Sequence, residues 1–281
     1  MSAGTLYVVA TPLGNLGDLS ERAAAVLRQV DLVAAEDTRR SRILLEHVSA
    51  RPRLVSLHAH SPAGRAEELV RLLRAGQSIA LLSDAGTPLV SDPGLQLVRR
   101  ARELEIPVVA VPGPSAVTAA LSIAGFPADR YTFLGFIPRS GREREQLLEA
   151  IVSSPWTVVV FEAANRVVRL LEDLCARAGA ERSAAVAREL TKIHEECRVG
   201  TLRELAVYYG NNPPRGEVTV VIEGSARQPE SKKRQALDKD EILGKAKTLL
   251  AQGLSRRDVA SKLSEELGIS RNRAYRLVTE L

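Results

Sequence analysis

Three features of the sequence predict an α/β protein with a parallel α/β N-terminal domain, a smaller α+β second domain and a C-terminal helix-turn-helix module. The first 137 residues alternate short apolar runs with helical stretches. Two strand-like runs later follow each other with no helix between them, and a basic aperiodic stretch precedes three short helices. The length of 281 residues, with 45% hydrophobic and 26% charged residues, is that of a globular chain of more than one domain, which excludes collagen, coiled coil and disorder.

In the first domain (1–137) the strands are expected at 5–10, 31–37, 53–58, 78–84 and 107–113, near-continuous apolar runs suited to strands covered on both faces. Helices are expected at 18–29, 38–47, 63–75, 94–105 and 115–124, the first opened by the cap pattern Asp18-Leu-Ser-Glu21. YTFLGF (131–136) ends this domain and IPRSGRERE is a polar joint. The second domain (138–226) has strands at 157–163, 184–190, 194–200 and 218–224, with helices at 165–177 and 202–209. Residues 227–237 form a polar linker. The module (238–281) carries helices at 239–251, 255–266 and 270–280, and its sequence LSRRDVASKLSEELGISRNRAYRLV has the helix, Gly-containing turn, helix order of a helix-turn-helix. Its apolar positions, Val259, Leu263, Leu267, Ile269, Ala274 and Leu277, form its core.

Charge is uneven. Residues 1–226 hold 26 Lys+Arg and 26 Asp+Glu, so the net charge of +5 comes from 13 basic against 8 acidic residues in 227–281. Of the 26 basic residues in the body, Lys192 alone is lysine. It is either a chance survivor of an arginine bias or a position that needs a compact, deprotonatable amine. No apolar run approaches the ~20 residues of a membrane span, and the N-terminus lacks a basic leader, so a cytoplasmic protein without membrane contact is expected. Cys175 and Cys197 are too few for a disulfide framework and are not spaced for zinc. His58 and His60 lack a third ligand nearby, so no metal is expected.

In a parallel sheet ligands bind beyond the carboxyl ends of the strands. The first strand ends in ATPLGNLGDL, where Gly14 and Gly17 let backbone approach a ligand. Neither GxGxxG nor GxxxxGK[ST] occurs, so no dinucleotide fingerprint or nucleotide P-loop is supported. The fourth strand runs into SDAGTPLVSDPG (83–94), in which Asp84, Gly86, Thr87, Pro88, Asp92 and Gly94 combine carboxylates for hydroxyl or ammonium groups with room for a flat ligand. The fifth ends in VPGPSAV, capped by Ser115. Turn chemistry explains each loop singly, but three on one sheet edge indicate a ligand cleft. The second strand ends in AAEDTRRSRILL, which places Glu36, Asp37, Thr38, Arg39 and Arg40 at its mouth. They are either a helix cap with a solvated face or a carboxylate pair beside an arginine cluster suited to phosphate and hydroxyl groups. ARELTK (187–192) offers Arg188, Glu189 and Lys192 in the same style.

Together ATPLGNLGDL, VAAEDTRRSRILL, SDAGTPLVSDPG, VPGPSAV, FEAANRVVRLLEDL, ARELTKIHEECRVGTLREL and RGEVTVVIEG resemble the tetrapyrrole (corrin/porphyrin) methylase superfamily. AEDTR, SDAGTPxxSDPG and RELTK are similar to its bacterial ribosomal RNA branch, the RsmI-type 16S rRNA cytidine 2'-O-methyltransferases, over about residues 4–224, and the tail resembles that branch's helix-turn-helix domain. The resemblance implies a two-domain homodimer that binds S-adenosylmethionine between its domains and methylates 16S rRNA in the small ribosomal subunit. Carried over by motif, Pro12, Gly14, Asp84, Gly86, Thr87, Pro88, Ser115 and Ala116 from the first domain and Phe161, Glu162, Leu190, Gly216 and Glu217 from the second would hold the cofactor. The sequence departs at LHAHSP, where relatives read LHDHNE; Ala59 removes a carboxylate and Ser61 an amide, so His58 is not placed among the catalytic residues.

For a ribose hydroxyl attacking a sulfonium methyl, Lys192, neutral if desolvated beside Arg188, heads the candidate bases, followed by Glu36 and Asp37, with Glu189 beside them. Arg39, Arg40 and Arg188 would hold RNA phosphates. In the tail the candidates for RNA contact are Lys232, Lys233, Arg234, Arg256, Arg257, Arg271 and Arg273. Two other readings are a C-methyltransferase of a uroporphyrinogen or precorrin-type tetrapyrrole, against which the basic tail and AEDTR argue, and a metabolite-sensing DNA-binding regulator, against which the tail's modest charge argues.

Overall fold

The structure is a computed structural model that describes residues 3–59, 61–62, 64–225, 239–252, 254–267 and 271–279. The chain divides into two compact units, Met1–Ala226 and Arg227–Leu281.

The first unit begins with a five-stranded parallel sheet. In chain order it is built from β1 (Leu6–Val9), α1 (Glu21–Gln29), β2 (Leu32–Ala35), α2 (Thr38–His47), β3 (Arg53–Ser56), α3 (Gly64–Arg74), β4 (Ile79–Leu82), α4 (Leu95–Glu103), β5 (Val108–Val111) and α5 (Ala116–Ala124). The strand order is β3-β2-β4-β1-β5. Of the inner strands, β2 (LVAA) and β4 (IALL) are buried at every position, as expected of strands with helices on both faces, and β1 is buried at its two ends. Helix α1 starts later than expected: Ser20, not Asp18, caps it by accepting from the Ala23 amide at 3.1 Å, and Asp18 ends a separate 3-10 turn.

Because β1 and β4 lie side by side, the loops that leave their carboxyl ends meet. The Thr11 amide donates to the Gly86 carbonyl at 2.8 Å and the Gly86 amide returns a bond to Thr11 at 3.0 Å. The Thr11 hydroxyl, buried, donates to the Ser83 and Gly86 carbonyls at 3.1 and 3.3 Å. Gly86 has φ +83°, a conformation that L side chains rarely adopt.

The second lobe comprises β6 (Tyr131–Phe136), α6 (Arg142–Ser153), β7 (Thr157–Ala163), α7 (Val167–Ala178), β8 (Ser183–Arg188), β9 (Glu196–Thr201), α8 (Leu202–Asn211) and β10 (Glu217–Ile222). Its sheet order is β6-β7-β10-β8-β9, parallel only between β6 and β7. Two features differ from expectation. β6, assigned to the first domain from sequence, pairs with β7, so the sheet boundary falls before Tyr131 and not at residue 137. The polar joint leads into α6, which begins within it at Arg142 and whose Leu148 and Ile151 are buried against α7 and the sheet at helical spacing.

One face of this sheet is covered by α6, α7 and α8, around residues such as Leu170, Leu174 and Leu205. The other is covered by α5 from the first lobe: Val117, Ala120, Leu121 and Ala124 pack on Val159, Ala185, Ala187 and Val221, joined by Leu190.

The second unit holds α9 (Lys239–Ala251), α10 (Arg256–Leu267) and α11 (Arg271–Thr279). Ala246, Val259, Ala260, Leu263, Ala274 and Val278 are buried among them, with Leu277 at the margin in place of its expected central position. The linker at 227–237, including Lys232, Lys233 and Arg234, the Ile269 position and the Leu267, Arg271 and Arg273 side chains lie outside the described residues. Among the described residues no helix is long and apolar enough to cross a membrane.

Thr11→Val, which keeps the side-chain shape and removes the donor, is expected to lower unfolding stability by about 1 kcal/mol. Denaturant melts at unchanged m-value measure this; an unchanged midpoint would mean that the paired amides alone hold the two loops together.

Candidate active site

Between the two lobes lies a cleft of about 530 Å³, a volume suited to a cofactor-sized ligand. The β4 loop contributes Asp84, Ala85, Gly86, Thr87 and Asp92. The turn before α5 adds Ser115 and Ala116, and the end of β2 adds Glu36 with Arg40. From the second lobe come Phe136, Phe161, Glu162, Gly216 and Glu217. The floor is backbone and small side chains, fixed where the Thr87 hydroxyl donates to the Pro114 carbonyl at 3.1 Å. The aromatic side is a cluster in which Phe161 meets Phe133 edge-on at 4.8 Å and Phe136 at 5.4 Å.

The cleft is acidic. Burial, then the charge of Asp84, holds the Glu36 carboxyl above its usual range. Asp92 is pushed up to about 6 by burial first and then by Glu36, against a hydrogen bond from Ser83 that lowers it. Glu162 is 1% exposed; one of its oxygens accepts from the Ala163 amide at 2.8 Å and pairs with Arg166, while Oε2 is buried with no partner among the described residues. Burial holds this carboxyl, too, above its usual range. Carboxylates gathered in a partly desolvated cleft favour a cationic or hydroxyl-bearing ligand. No group of three potential metal ligands occurs among the described residues.

Asp37 behaves differently. It caps α2 by accepting from the Arg39 amide at 2.8 Å and binds the Arg39 guanidinium at 2.7 Å, which holds its carboxyl down at about 2. Its own amide donates to Asp84 at 2.9 Å, and the other Asp84 oxygen faces Arg40 at 3.6 Å. Asp37 and Arg39 therefore sit beside the cleft, outside its lining.

Lys192 reaches across from the second lobe and lies on Gly14 of the first loop, where a Cβ would collide with its side chain. Its amine donates to Glu189 at 3.0 Å, and this bond holds the Glu189 carboxyl below its usual range. The expected neighbour, Arg188, is instead bound to Glu196 at 2.6 and 2.7 Å, so the premise of a lysine desolvated beside an arginine gives way to an ion pair. Glu189 in turn occupies the space a side chain at Gly216 would need. Glu189 and Thr191 have φ of +51° and +65°, and Leu89 and Ser91 of the β4 loop +72° and +68°, so non-glycine backbone strain is concentrated in two loops that border the cleft.

The family model described as "Tetrapyrrole (Corrin/Porphyrin) Methylases" matches residues 5–206, which include the cleft lining except that from Gly216 onward. The chain belongs to the tetrapyrrole methylase family. Relatives named "Ribosomal RNA small subunit methyltransferase I" include one from Synechocystis, 43% identical over 99% of this chain and 98% of its own length, and one from Escherichia coli O157:H7, 41% identical over 99% and 96%. Among solved structures, the chain shares the fold of a diphthine synthase (TM-score 0.61, 17% identity, 78% of this chain and 90% of that one). It also shares the fold of a Thermus thermophilus uroporphyrin-III C-methyl transferase complexed with S-adenyl homocysteine (TM-score 0.58, 21% identity, 79% and 98%).

Within this methylase, nine of the thirteen residues expected at the cofactor line the cleft: Asp84, Gly86, Thr87, Ser115, Ala116, Phe161, Glu162, Gly216 and Glu217. Pro12 and Gly14 border a smaller adjoining cavity of about 160 Å³ that shares Leu13, Arg40 and Asp84 with it. Pro88 is buried behind its loop, and Leu190 is buried in the seam between the lobes. The sequence offered Asp92, with Asp84, as a carboxylate for hydroxyl or ammonium groups and not as a base; the approach of Glu36 and Glu217 from other segments, added to Asp84 of its own loop, distinguishes it.

A carboxyl raised from 3.8 to about 6 is protonated more readily in the folded chain, so its contribution to stability is present at pH 4 and is lost as pH rises through 6. Asp92→Asn is therefore expected to raise the Tm at pH 8, with the gain fading by pH 4. A gain independent of pH would contradict this origin.

Proposed function

We propose that this methylase transfers a methyl group from S-adenosylmethionine to the 2'-hydroxyl of a cytidine ribose in 16S rRNA of the small ribosomal subunit, acting as a homodimer. The observation that carries this reading is the near-full-length similarity to ribosomal RNA small subunit methyltransferases, tail included. A tetrapyrrole acceptor is supported only by fold, at 16–22% identity.

The cleft fits the cofactor. Its volume, its close-approach floor at Gly86 and the unpartnered Glu162 oxygen suit a ligand with a flat ring, hydroxyls and positive charge. Asp84, Gly86, Thr87, Ser115, Ala116, Phe161, Glu162, Gly216 and Glu217 would hold it. When bound, S-adenosylmethionine supplies an electrophilic methyl group on a sulfonium.

A ribose hydroxyl is a weak acid, and a base that accepts its proton contributes about 10²–10⁴-fold. Asp92 and Glu36 face the cleft as raised carboxylates, Asp92 by burial and then by the charge of Glu36, Glu36 by burial and then by that of Asp84, whereas Asp37 is bound to Arg39 and Lys192 to Glu189. Asp92, with Glu36 beside it, takes the proton in this reading. Lys192 and Glu189 act by fixing the first glycine loop and the 216–217 turn. Arg40 at the mouth, Arg39 and Arg188 bind RNA phosphates, and exposed Arg256 and Arg257, with Arg271 and Arg273, give a salt-sensitive anchor in the tail.

The test is methyl-labelled S-adenosylmethionine with small subunits that lack the modification. Label on one cytidine ribose supports the reading; no label with cofactor binding intact would overturn the acceptor. Asp92→Asn is expected to lower kcat by about 10²–10⁴-fold while calorimetric cofactor affinity holds, and wild-type turnover should fall as pH drops below about 6. Lys192→Ala is expected to keep that acid limb. If Lys192→Ala abolishes turnover and Asp92→Asn does not, the lysine is the base.

A further inference from the structure

The 213–217 turn serves two cavities. Gly216 and Glu217 line the cleft, whereas Pro214 and Arg215 line a separate cavity of about 370 Å³. The walls of the two therefore meet at consecutive residues, whose Cα atoms are about 3.8 Å apart.

This second cavity has the chemistry of an anion and base site. Arg188 and Glu196 form one wall and the C-terminal end of α8, with Tyr208, Tyr209 and Asn212, another. Glu196 is shared, accepting from Arg188 at 2.7 Å and from Arg198 at 3.3 Å, and the Arg198 guanidinium lies 3.5 Å over the Tyr208 ring. Arg215 is exposed and makes no ion pair among the described residues. Three guanidinium groups against one carboxylate leave the region positive.

Tyr209 is 1% exposed, and its hydroxyl is buried without a hydrogen-bond partner among the described residues. Burial, with Glu196 nearby, pushes this phenol up, so it remains an O–H donor at neutral pH. A buried donor without an acceptor is destabilising, and a ligand oxygen would relieve it. Asn212 donates through Nδ2 to the Tyr208 carbonyl at 3.0 Å, which leaves its side-chain oxygen to accept.

We propose that this cavity is a subsite for the RNA nucleotide next to the one in the cleft, taking its phosphate on Arg188 and Arg215 and its base against Tyr208 and Pro214. The proposal rests on the RNA reading above. Splayed single-stranded nucleotides are bound by this combination of aromatic surface, guanidinium and amide.

The test uses the full chain and the variants Arg215→Ala and Arg215→Glu, which alter an exposed side chain. Steady-state methylation of small subunits gives KM and kcat at several salt concentrations, calorimetry gives cofactor affinity, and sedimentation gives the oligomeric state. Arg215→Ala is expected to raise KM about tenfold and to make its salt dependence shallower by about 0.7 in the log–log slope. Arg215→Glu should raise KM further, with kcat and cofactor affinity unchanged in both variants. An unchanged KM in both, with the wild type active, overturns the subsite alone. A change in oligomeric state at unchanged KM makes the cavity a contact between copies, and loss of cofactor affinity makes it part of the cofactor site; either result overturns it. An inactive wild type overturns the RNA reading and the subsite with it.

Discussion

The packing of α5 against the second sheet is the constraint on which the site depends. Small residues on both sides, Ala120 and Ala124 on the helix and Ala185 and Ala187 on β8, let the helix approach the sheet closely, and Val117, Leu121, Val159 and Val221 fill the layer. Burial of apolar surface contributes about 25 cal/mol per Å², so this seam makes one compact unit of two sheets that share no strand. Because α5 follows β5 through the Ser115 turn, the seam also sets the carboxyl end of the parallel sheet against the ends of β7 and β10. The cleft is what remains open at the edge of the seam.

Charge is sorted around that opening. Carboxylates line it and arginines occupy its mouth, in a body whose basic and acidic residues balance. The sorting matters because desolvation acts on the inner groups: Glu36, Asp92 and Glu162 are all held above the ordinary carboxylate range with burial as the leading cause, whereas Asp37, only a turn away and solvent-screened, is held low by Arg39. Neighbouring acids of one motif thus acquire opposite proton affinities, which is how a site obtains a base that works near neutral pH.

The loops are under strain where they border the cleft. Leu89, Ser91, Glu189 and Thr191 adopt left-handed backbone, and the 189–192 loop is held by Lys192 on Gly14 and by Glu189 against Gly216. Gly14 serves for the space it leaves to a charged pair arriving from another part of the chain, and Gly216 both for that space and for its φ of +81°. A side chain at either would lift the loop from the cleft edge.

Much of this was legible in the sequence. Apolar runs such as LVAA and IALL fix parallel strands by burial on both faces, and the Gly/Pro loops after them mark the ligand edge, since both signals are local in the chain. The AEDTR, SDAGTP and RELTK motifs identify the family for the same reason. Other features were not local. The pairing of β6 with β7 depends on which sheet has a free edge, and α6 was hidden by a charged first turn although its later residues have helical spacing. The exchange of Arg188 for Glu189 as the partner of Lys192 follows from a left-handed turn that no residue type announces, and the role open to Asp92 follows from burial and from Glu36 and Glu217, brought beside it by separate segments. The sequence by itself determined the elements, the family and the ligand edge, because these depend on local pattern. Only the tertiary structure decided which charges face one another and which are desolvated, because Coulomb interaction and burial depend on distance in space and not on position along the chain.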